Sequence, residues 1–423
     1  MGKNNFRKIA TITLFESAVQ WYCFLLYGTA AGTVFHKVFF SQTGNGTTAL
    51  ILSYMSFAIG YIGDRKGRKV TMYASLLMMG ISTSIIGILP PAASAGVGVV
   101  IVLQLMRLAQ CFGRGGTWGG GILMAYENVP ENKRSFYAAI PQIGLPIGFG
   151  LSSILIAVPT LLLPEDIFFT WGWRIPFLAA IILTVIVIRQ KGEMMETEDY
   201  KKAQAKLEAE EAEGKKHKVG FIPMVKGYWK TLLLGCGTRW VDGTFYNIFI
   251  VWILSYCINW LGMPLIQTYI ITIIACIFKI PFTLFGGWCA QKLGNTRTFV
   301  IGALASAVLS IPTLKVIELS KGNLAITIIG IVLGWSIAYN LIWAVISSLW
   351  SSYFETEVRY SGISFVYHVP SFLVAGMVPT ICTLLINYGK GDTIYVGIYS
   401  TVVALISAAC ALALKVRHDR GEK

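Results

Sequence analysis

Gly60-Tyr61-Ile62-Gly63-Asp64-Arg65-Lys66-Gly67-Arg68-Lys69 is a short polar turn set between two apolar runs. Its glycines permit a tight reversal of the chain between two helices. Its four basic residues, Arg65, Lys66, Arg68 and Lys69, would hold the turn on the cytoplasmic side of a membrane. The lone acid, Asp64, can accept from the N-terminus of a neighbouring helix or pair with an arginine. Four basic residues alone also fit an ordinary cytoplasmic loop, so the flanking sequence has to decide.

Those flanks are apolar throughout. The chain has 423 residues, of which 55% are hydrophobic and 13% charged. Soluble proteins carry roughly 25% charge. A chain this long with so little charge cannot cover itself with water-compatible surface. A soluble enzyme, a nucleic-acid binder and a disordered chain are therefore excluded in favour of a multi-span membrane protein. The net charge of +14 then reflects basic cytoplasmic loops, with no need of a nucleic-acid partner. Eight scattered cysteines without a CxxC pair, and four histidines, suggest neither a disulfide framework nor a metal site. No cofactor is expected.

Apolar runs of about twenty residues read as membrane helices. Six precede a charged segment: about Ile9 to Val38, Thr47 to Gly63, Val70 to Pro90, Gly96 to Tyr126, Phe136 to Leu163 and Arg174 to Ile188. Six follow it: about Leu232 to Leu261, Leu265 to Ala290, Thr298 to Ile317, Leu324 to Trp350, Gly362 to Tyr388 and Ile394 to Lys415. The segment between, Arg189 to Lys230, holds 18 charged residues in 42 positions and reads as a solvated linker with some surface helix. With the N-terminus inside, 26 basic residues fall in inside segments and five outside. That asymmetry places both termini in the cytoplasm. The expected fold is thus an all-α membrane protein of twelve transmembrane helices in two six-helix bundles. They cover residues 1–188 and 231–423, joined by a cytoplasmic linker, 189–230.

The turn quoted above resembles the loop signature of the major facilitator superfamily. Other strings sharpen this to its metabolite:H+ symporter family, which includes shikimate, α-ketoglutarate, citrate and proline/betaine carriers. They are Gln20-Trp21-Tyr22-Cys23-Phe24, Leu26-Tyr27-Gly28-Thr29-Ala30-Ala31, Arg107-Leu108-Ala109-Gln110 and Gly115-Gly116-Thr117-Trp118-Gly119-Gly120. Glu127-Asn128-Val129-Pro130, Gly172-Trp173-Arg174-Ile175-Pro176-Phe177 and Val358-Arg359-Tyr360-Ser361-Gly362 continue the match. The resemblance implies a central cavity worked by alternating access. It makes Gly60, Asp64, Arg65, Gly67, Arg68 and Glu127 a gate, with Asp64 near the start of the eleventh helix and Arg68 near Glu127. A degraded copy, Gly286-Gly287-Trp288-Cys289-Ala290-Gln291-Lys292-Leu293-Gly294, puts Gln291 where the first has Asp64.

Charges inside spans are functional candidates because they are costly there. Arg107 begins the RxxQ string of the fourth helix. Arg114 lies seven residues, about two turns, further on, and both can face one cavity. For Arg114 the readings are a bidentate carboxylate site or an ion pair with Asp242 or Glu16. Arg239 and Asp242, at i and i+3, can pair on one face of the seventh helix. Lys279 is at mid-depth in the eighth. Trp21, Tyr22, Trp118 and Tyr246 are candidate cavity walls. The family's EWYDF and GGEWG strings have lost acids here, at Gln20, Cys23 and Thr117. Proton coupling needs a group that titrates, which leaves Asp242, Glu16 and His368. Glu16, near the end of the first helix, could instead be solvated. The second helix is also short, about 17 residues or roughly 25 Å.

The expected function is secondary transport of a small polar metabolite across the cell (inner) membrane, with or without H+ symport. Four intramembrane cations against two acids favour an organic anion over a zwitterion. The chain would work as a monomer in the lipid bilayer. An uncoupled uniporter or exchanger, or a non-transporting sensor or decayed relative, are the alternatives. No nucleophile–base pair suggests an enzyme.

Overall fold

A computed structural model of the chain describes residues 3–30, 34–35, 38, 68–190, 205, 221–371 and 376–422. The expected second span and most of the linker lie outside these residues. The first span is Lys3–Ala30, the third Arg68–Ile88, the fourth Val97–Glu127, the fifth Glu131–Leu162 and the sixth Arg174–Arg189. In the second half come Met224–Asn259, Leu265–Leu293, Asn295–Leu319, Leu324–Ser351 and Ile394–Asp419. The eleventh span is seen as Arg359–Pro370 and Val378–Tyr388. Among the described residues nine helices are long and apolar enough to cross a membrane. Val97–Glu127, which carries Arg107 and Arg114, has the length at 31 residues.

These helices are apolar on nearly every side, so their packed faces are marked by size more than by polarity. Large side chains such as Leu162, Ile182, Leu233, Val308 and Leu384 point outward, as a lipid solvent allows. Glycines mark the packed faces. A methyl group on Gly148 of the fifth span would lie 2.5 Å from the Ala18 carbonyl oxygen and the Tyr22 amide of the first. Gly113 of the fourth span is as close to the Ser75 carbonyl of the third.

One buried cluster fills the first half, from Val19 and Tyr22 to Phe177 and Val187. The larger one fills the second half and takes in Trp21, Trp118 and Phe149 from the first, along the seam between the bundles. At one face of the molecule Phe6 meets Tyr137, Tyr228 meets Phe354, and Tyr353 meets His418. The chain therefore enters and leaves at this face, called the termini face below. At the opposite face Lys315 bridges Glu318 and Asp392 at 3.0 and 2.7 Å. The Lys315 hydrogen bond holds the exposed Asp392 carboxyl below its ordinary range.

The seventh span starts before its expected boundary. The helix begins at Phe221 and bends at Tyr228 (φ −119°, ψ 17°). Residues 221–230 are thus helix rather than linker, because Met224 and Tyr228 are buried and Tyr228 packs on Phe354. Further along, Ile248–Trp252 and, in the tenth span, Val332–Ala338 take π-helical turns.

The glycine packing gives a paired expectation. Gly148→Ala should force the first and fifth spans apart and cost about 1–3 kcal/mol. Gly150→Ala, whose nearest contact would be Cys276 at 3.6 Å, should be tolerated. Thermal unfolding of the two variants in detergent checks this; equal melting temperatures would contradict it.

Candidate functional site

At the termini face the two bundles are joined by polar contacts. Glu127, ending the fourth span, accepts from Arg359, which opens the eleventh, at 2.9 Å. Gln291 donates to the Asn132 carbonyl, and Tyr360 to the Gly116 carbonyl. Ser347 reaches the Ala138 carbonyl at 3.5 Å. The structure is therefore closed at this face. Gly60, Asp64, Arg65 and Gly67 of the expected gate lie outside the described residues, as does the side chain of Arg68. The partnership of Glu127 with Arg359 joins residues 232 positions apart, and no local pattern in the sequence marked it.

Deeper in the seam, Gln142 Nε2 donates to the Trp343 carbonyl at 3.0 Å. The Trp343 indole donates back to the Gln142 carbonyl at 2.9 Å. Trp343 lies edge-on to Trp21 at 5.7 Å, and Trp21 packs on Tyr246 at 5.9 Å. Trp118 stacks on Tyr367 at 4.0 Å. Three expected aromatic residues, Trp21, Trp118 and Tyr246, thus meet at the seam. Tyr22 does not. It turns into the first bundle, where its hydroxyl donates to the Pro176 carbonyl of the sixth span, because successive helical residues point about 100° apart.

The charges fall into two groups. Arg107 and Arg114 both face the ring of Phe24, at 4.3 and 3.9 Å, so the two-turn spacing does put them on one side of the fourth span. Arg107 also donates to the Phe24 carbonyl and to Gln110, each at 3.1 Å. Arg114 lies over Trp21 at 4.3 Å and donates to the Tyr367 hydroxyl at 2.8 Å. The ion pair of Arg114 with Asp242 or Glu16 is not formed. Asp242 instead pairs with Arg239 and accepts from the Tyr339 hydroxyl. Among the described residues neither carboxylate oxygen of Glu16 has a hydrogen-bond partner.

Arg239, Asp242, Tyr339 and Lys279 form the second group. Lys279 is wholly buried. It donates to the Trp335 carbonyl at 3.4 Å and lies 4.7 and 4.5 Å from the rings of Trp335 and Tyr339. Among the described residues no carboxylate is within ion-pair distance of it. The π-helical turn contributes here. It moves the Tyr339 amide onto the Gly334 carbonyl, in the stretch that presents Trp335 and Tyr339 to the ammonium.

Two further placements differ from expectation. Glu16 is wholly buried rather than solvated, with Gly121 of the fourth span beside its carboxylate. His368 is buried one residue along from Tyr367, its ring 5.0 Å away. Towards the face opposite the termini a cavity of about 490 Å³ opens between the first, fifth, seventh and eighth spans. Leu25, Phe149, Ser153, Asn259 and Thr272 are among the residues lining it. No charged residue is among the described residues that line it, and the charged groups described above lie deeper. Among the described residues no group of His, Cys, Asp and Glu could hold a metal.

This two-bundle arrangement with a polar seam can be compared with known proteins. A profile of the Major Facilitator Superfamily matches residues 10–375. The chain belongs to the major facilitator superfamily. It is a membrane transporter and not an enzyme. It is 32% identical to the inner membrane metabolite transport protein YhjE of Escherichia coli (strain K12), over 98% of this chain and 96% of that protein. It is 30% identical to the shikimate transporter of the same organism, over 97% and 94%. The proline/betaine transporter of Salmonella typhimurium is 26% identical, over 98% and 84%. In fold the chain resembles the proton:xylose symporter XylE bound to 6-bromo-6-deoxy-D-glucose. The TM-score is 0.77 at 16% identity, over 97% and 95% of the two chains.

The ion pair at the termini face yields a test. Glu127→Gln should favour opening of that face. A cysteine placed at Ser347, in a background without native cysteines, should then be alkylated several-fold faster. An unchanged rate would show that the Glu127–Arg359 pair does not hold the seam.

Proposed function

We propose that the chain carries small organic anions through the cell's inner membrane by alternating access, with its termini in the cytoplasm. The observation that carries this reading is Lys279. A wholly buried ammonium with no carboxylate at ion-pair distance among the described residues is costly in a low dielectric. An incoming carboxylate supplies the missing counter-charge. Arg239 and Asp242 neutralise one another, so Lys279 adds a positive charge to the seam. The basic residues at the termini face, among them Lys69, Arg134, Lys292 and Arg417, support a cytoplasmic assignment. With that face closed, the cavity at the other is the route by which substrate arrives from outside.

Proton coupling has two candidates. Glu16 is a buried carboxylate with no hydrogen-bond partner among the described residues and with Tyr73 of the third span as a titratable neighbour. Asp242 accepts from Arg239 at one carboxylate oxygen and from Tyr339 at the other. Uncoupled transport is the second reading, favoured by Gln20, Cys23 and Thr117 where the related family string carries acids.

Uptake into proteoliposomes separates these readings. Carboxylates should be taken up in preference to glycine betaine, and Lys279→Gln should weaken carboxylate uptake at least about tenfold. Preference for betaine would overturn the anion reading. If an inward proton gradient drives accumulation, Glu16→Gln should abolish that drive while leaving exchange across equal pH. Accumulation surviving in both Glu16→Gln and Asp242→Asn would remove both carriers. No response to the gradient in the parent protein would establish uniport or exchange.

A further inference from the structure

The outer cavity ends at a partition. Phe149, Leu254 and Thr272 line the cavity and also line a second, narrower space with no room for a water molecule. Ala275 and Trp335 line that narrow space but not the cavity. Trp335 is the residue whose carbonyl accepts from Lys279. Ala275 is about one turn from Lys279 on the eighth span. The partition is apolar apart from Thr272, whose hydroxyl donates to the Thr268 carbonyl of its own helix at 2.8 Å. A narrow apolar constriction excludes water and ions, so Lys279 is sealed off on the side of the outer cavity.

We propose that Phe149 is the outer gate of this carrier, a ring that closes the cavity against Lys279 and admits substrate when it withdraws. The three members of the partition come from different halves of the molecule. Leu254 and Thr272 belong to the seventh and eighth spans of the second bundle, Phe149 to the fifth span of the first. The Phe149 ring is buried in the apolar cluster of the second bundle, edge-on to Trp335 with centres 6.3 Å apart. When the bundles move apart at this end, Phe149 therefore leaves while Leu254, Thr272 and Trp335 stay together. A ring in a close-packed interior has nowhere to go, but the cavity of about 490 Å³ lies against Phe149 and gives it room. Ser153, one turn further along the fifth span, is small and lines the same cavity. For the nature of what passes, the gate rests on the anion reading above; as a barrier it does not depend on it.

The test is thiol modification of the full chain in intact cells by a small impermeant reagent, methanethiosulfonate-ethylsulfonate. Single cysteines are placed in a background without native ones. Ala275→Cys reports the narrow space, Ser255→Cys the exposed cavity wall and Ser347→Cys the termini face. With Phe149 present, Ser255→Cys should react readily and Ala275→Cys slowly. Phe149→Ala should speed modification at Ala275→Cys several-fold and leave the other two rates unchanged. Phe149→Leu, a smaller loss of volume, should act in the same direction and carries the test should Phe149→Ala fail to fold. An unchanged rate at Ala275→Cys overturns the gate. So does a rise there accompanied by changed rates at Ser255→Cys and Ser347→Cys, which would report movement of whole bundles. Lactate, fumarate and citrate in excess then probe what lies behind the ring. In the Phe149→Ala variant at least one of them should slow modification of Ala275→Cys, and glycine betaine should not. Faster modification that no carboxylate slows supports the gate and overturns the anion reading alone.

Discussion

Lys279 is wholly buried with no carboxylate at ion-pair distance among the described residues, and the second bundle is arranged around that fact. The Trp335 carbonyl and the faces of Trp335 and Tyr339 are what the fold offers the ammonium. They are weaker partners than an anion, though cation–π contacts strengthen when desolvated. Tyr339 also donates to Asp242, which is paired with Arg239. The seventh, eighth and tenth spans are thus linked by one chain of charged and aromatic groups. An anion arriving at Lys279 would alter a group already tied to Asp242 through Tyr339, which gives substrate binding a physical route to the ion pair.

The contacts within bundles and between them differ in kind. Inside the first bundle, Gly148 and Gly113 let backbones approach until a single methyl group would collide. Such interfaces are set by shape and cannot loosen gradually. Between bundles at the termini face the contacts are an ion pair and single hydrogen bonds, from Glu127, Gln291, Tyr360 and Ser347. Each of these exchanges for water at small net cost when the face opens. Rigid halves with a replaceable seam are what a rocking motion needs.

Much of this was legible in the chain, for identifiable reasons. Spans announce themselves by length and apolarity, and the Arg239–Asp242 pair and the shared face of Arg107 and Arg114 follow from helical spacing. Other features depend on tertiary packing. Tyr22 and Trp21 are neighbours of the same chemical type, and only the packing shows which one faces the seam. The helical stretch after Phe221 reads as linker because its buried side chains, Met224 and Tyr228, are separated by charge, and Phe354, on which Tyr228 packs, is more than a hundred residues away. Glu127 and Arg359 were each visible, but their pairing was not.

Glu16 shows how such a gap changes an argument. Read from the chain, it lies near a helix end and can be assigned to water, so the acids missing at Gln20, Cys23 and Thr117 point to weakened coupling. In the fold Glu16 is as buried as Gln20, one turn away on the same helix, and the side-chain polar atoms of both lack partners among the described residues. Gly121 leaves the room that the carboxylate occupies. Glu16, Gln20 and Phe24 follow one another at four-residue steps, and Phe24 meets Arg107 and Arg114 of the fourth span. The first helix has therefore not lost a buried acid on this stripe. It carries one a turn nearer the termini face, at the far end of a line that leads to the arginines. The absence of carboxylates from the motif does not by itself remove a proton carrier, because such a carrier requires a buried acid with room around it, and a position one helical turn along supplies both.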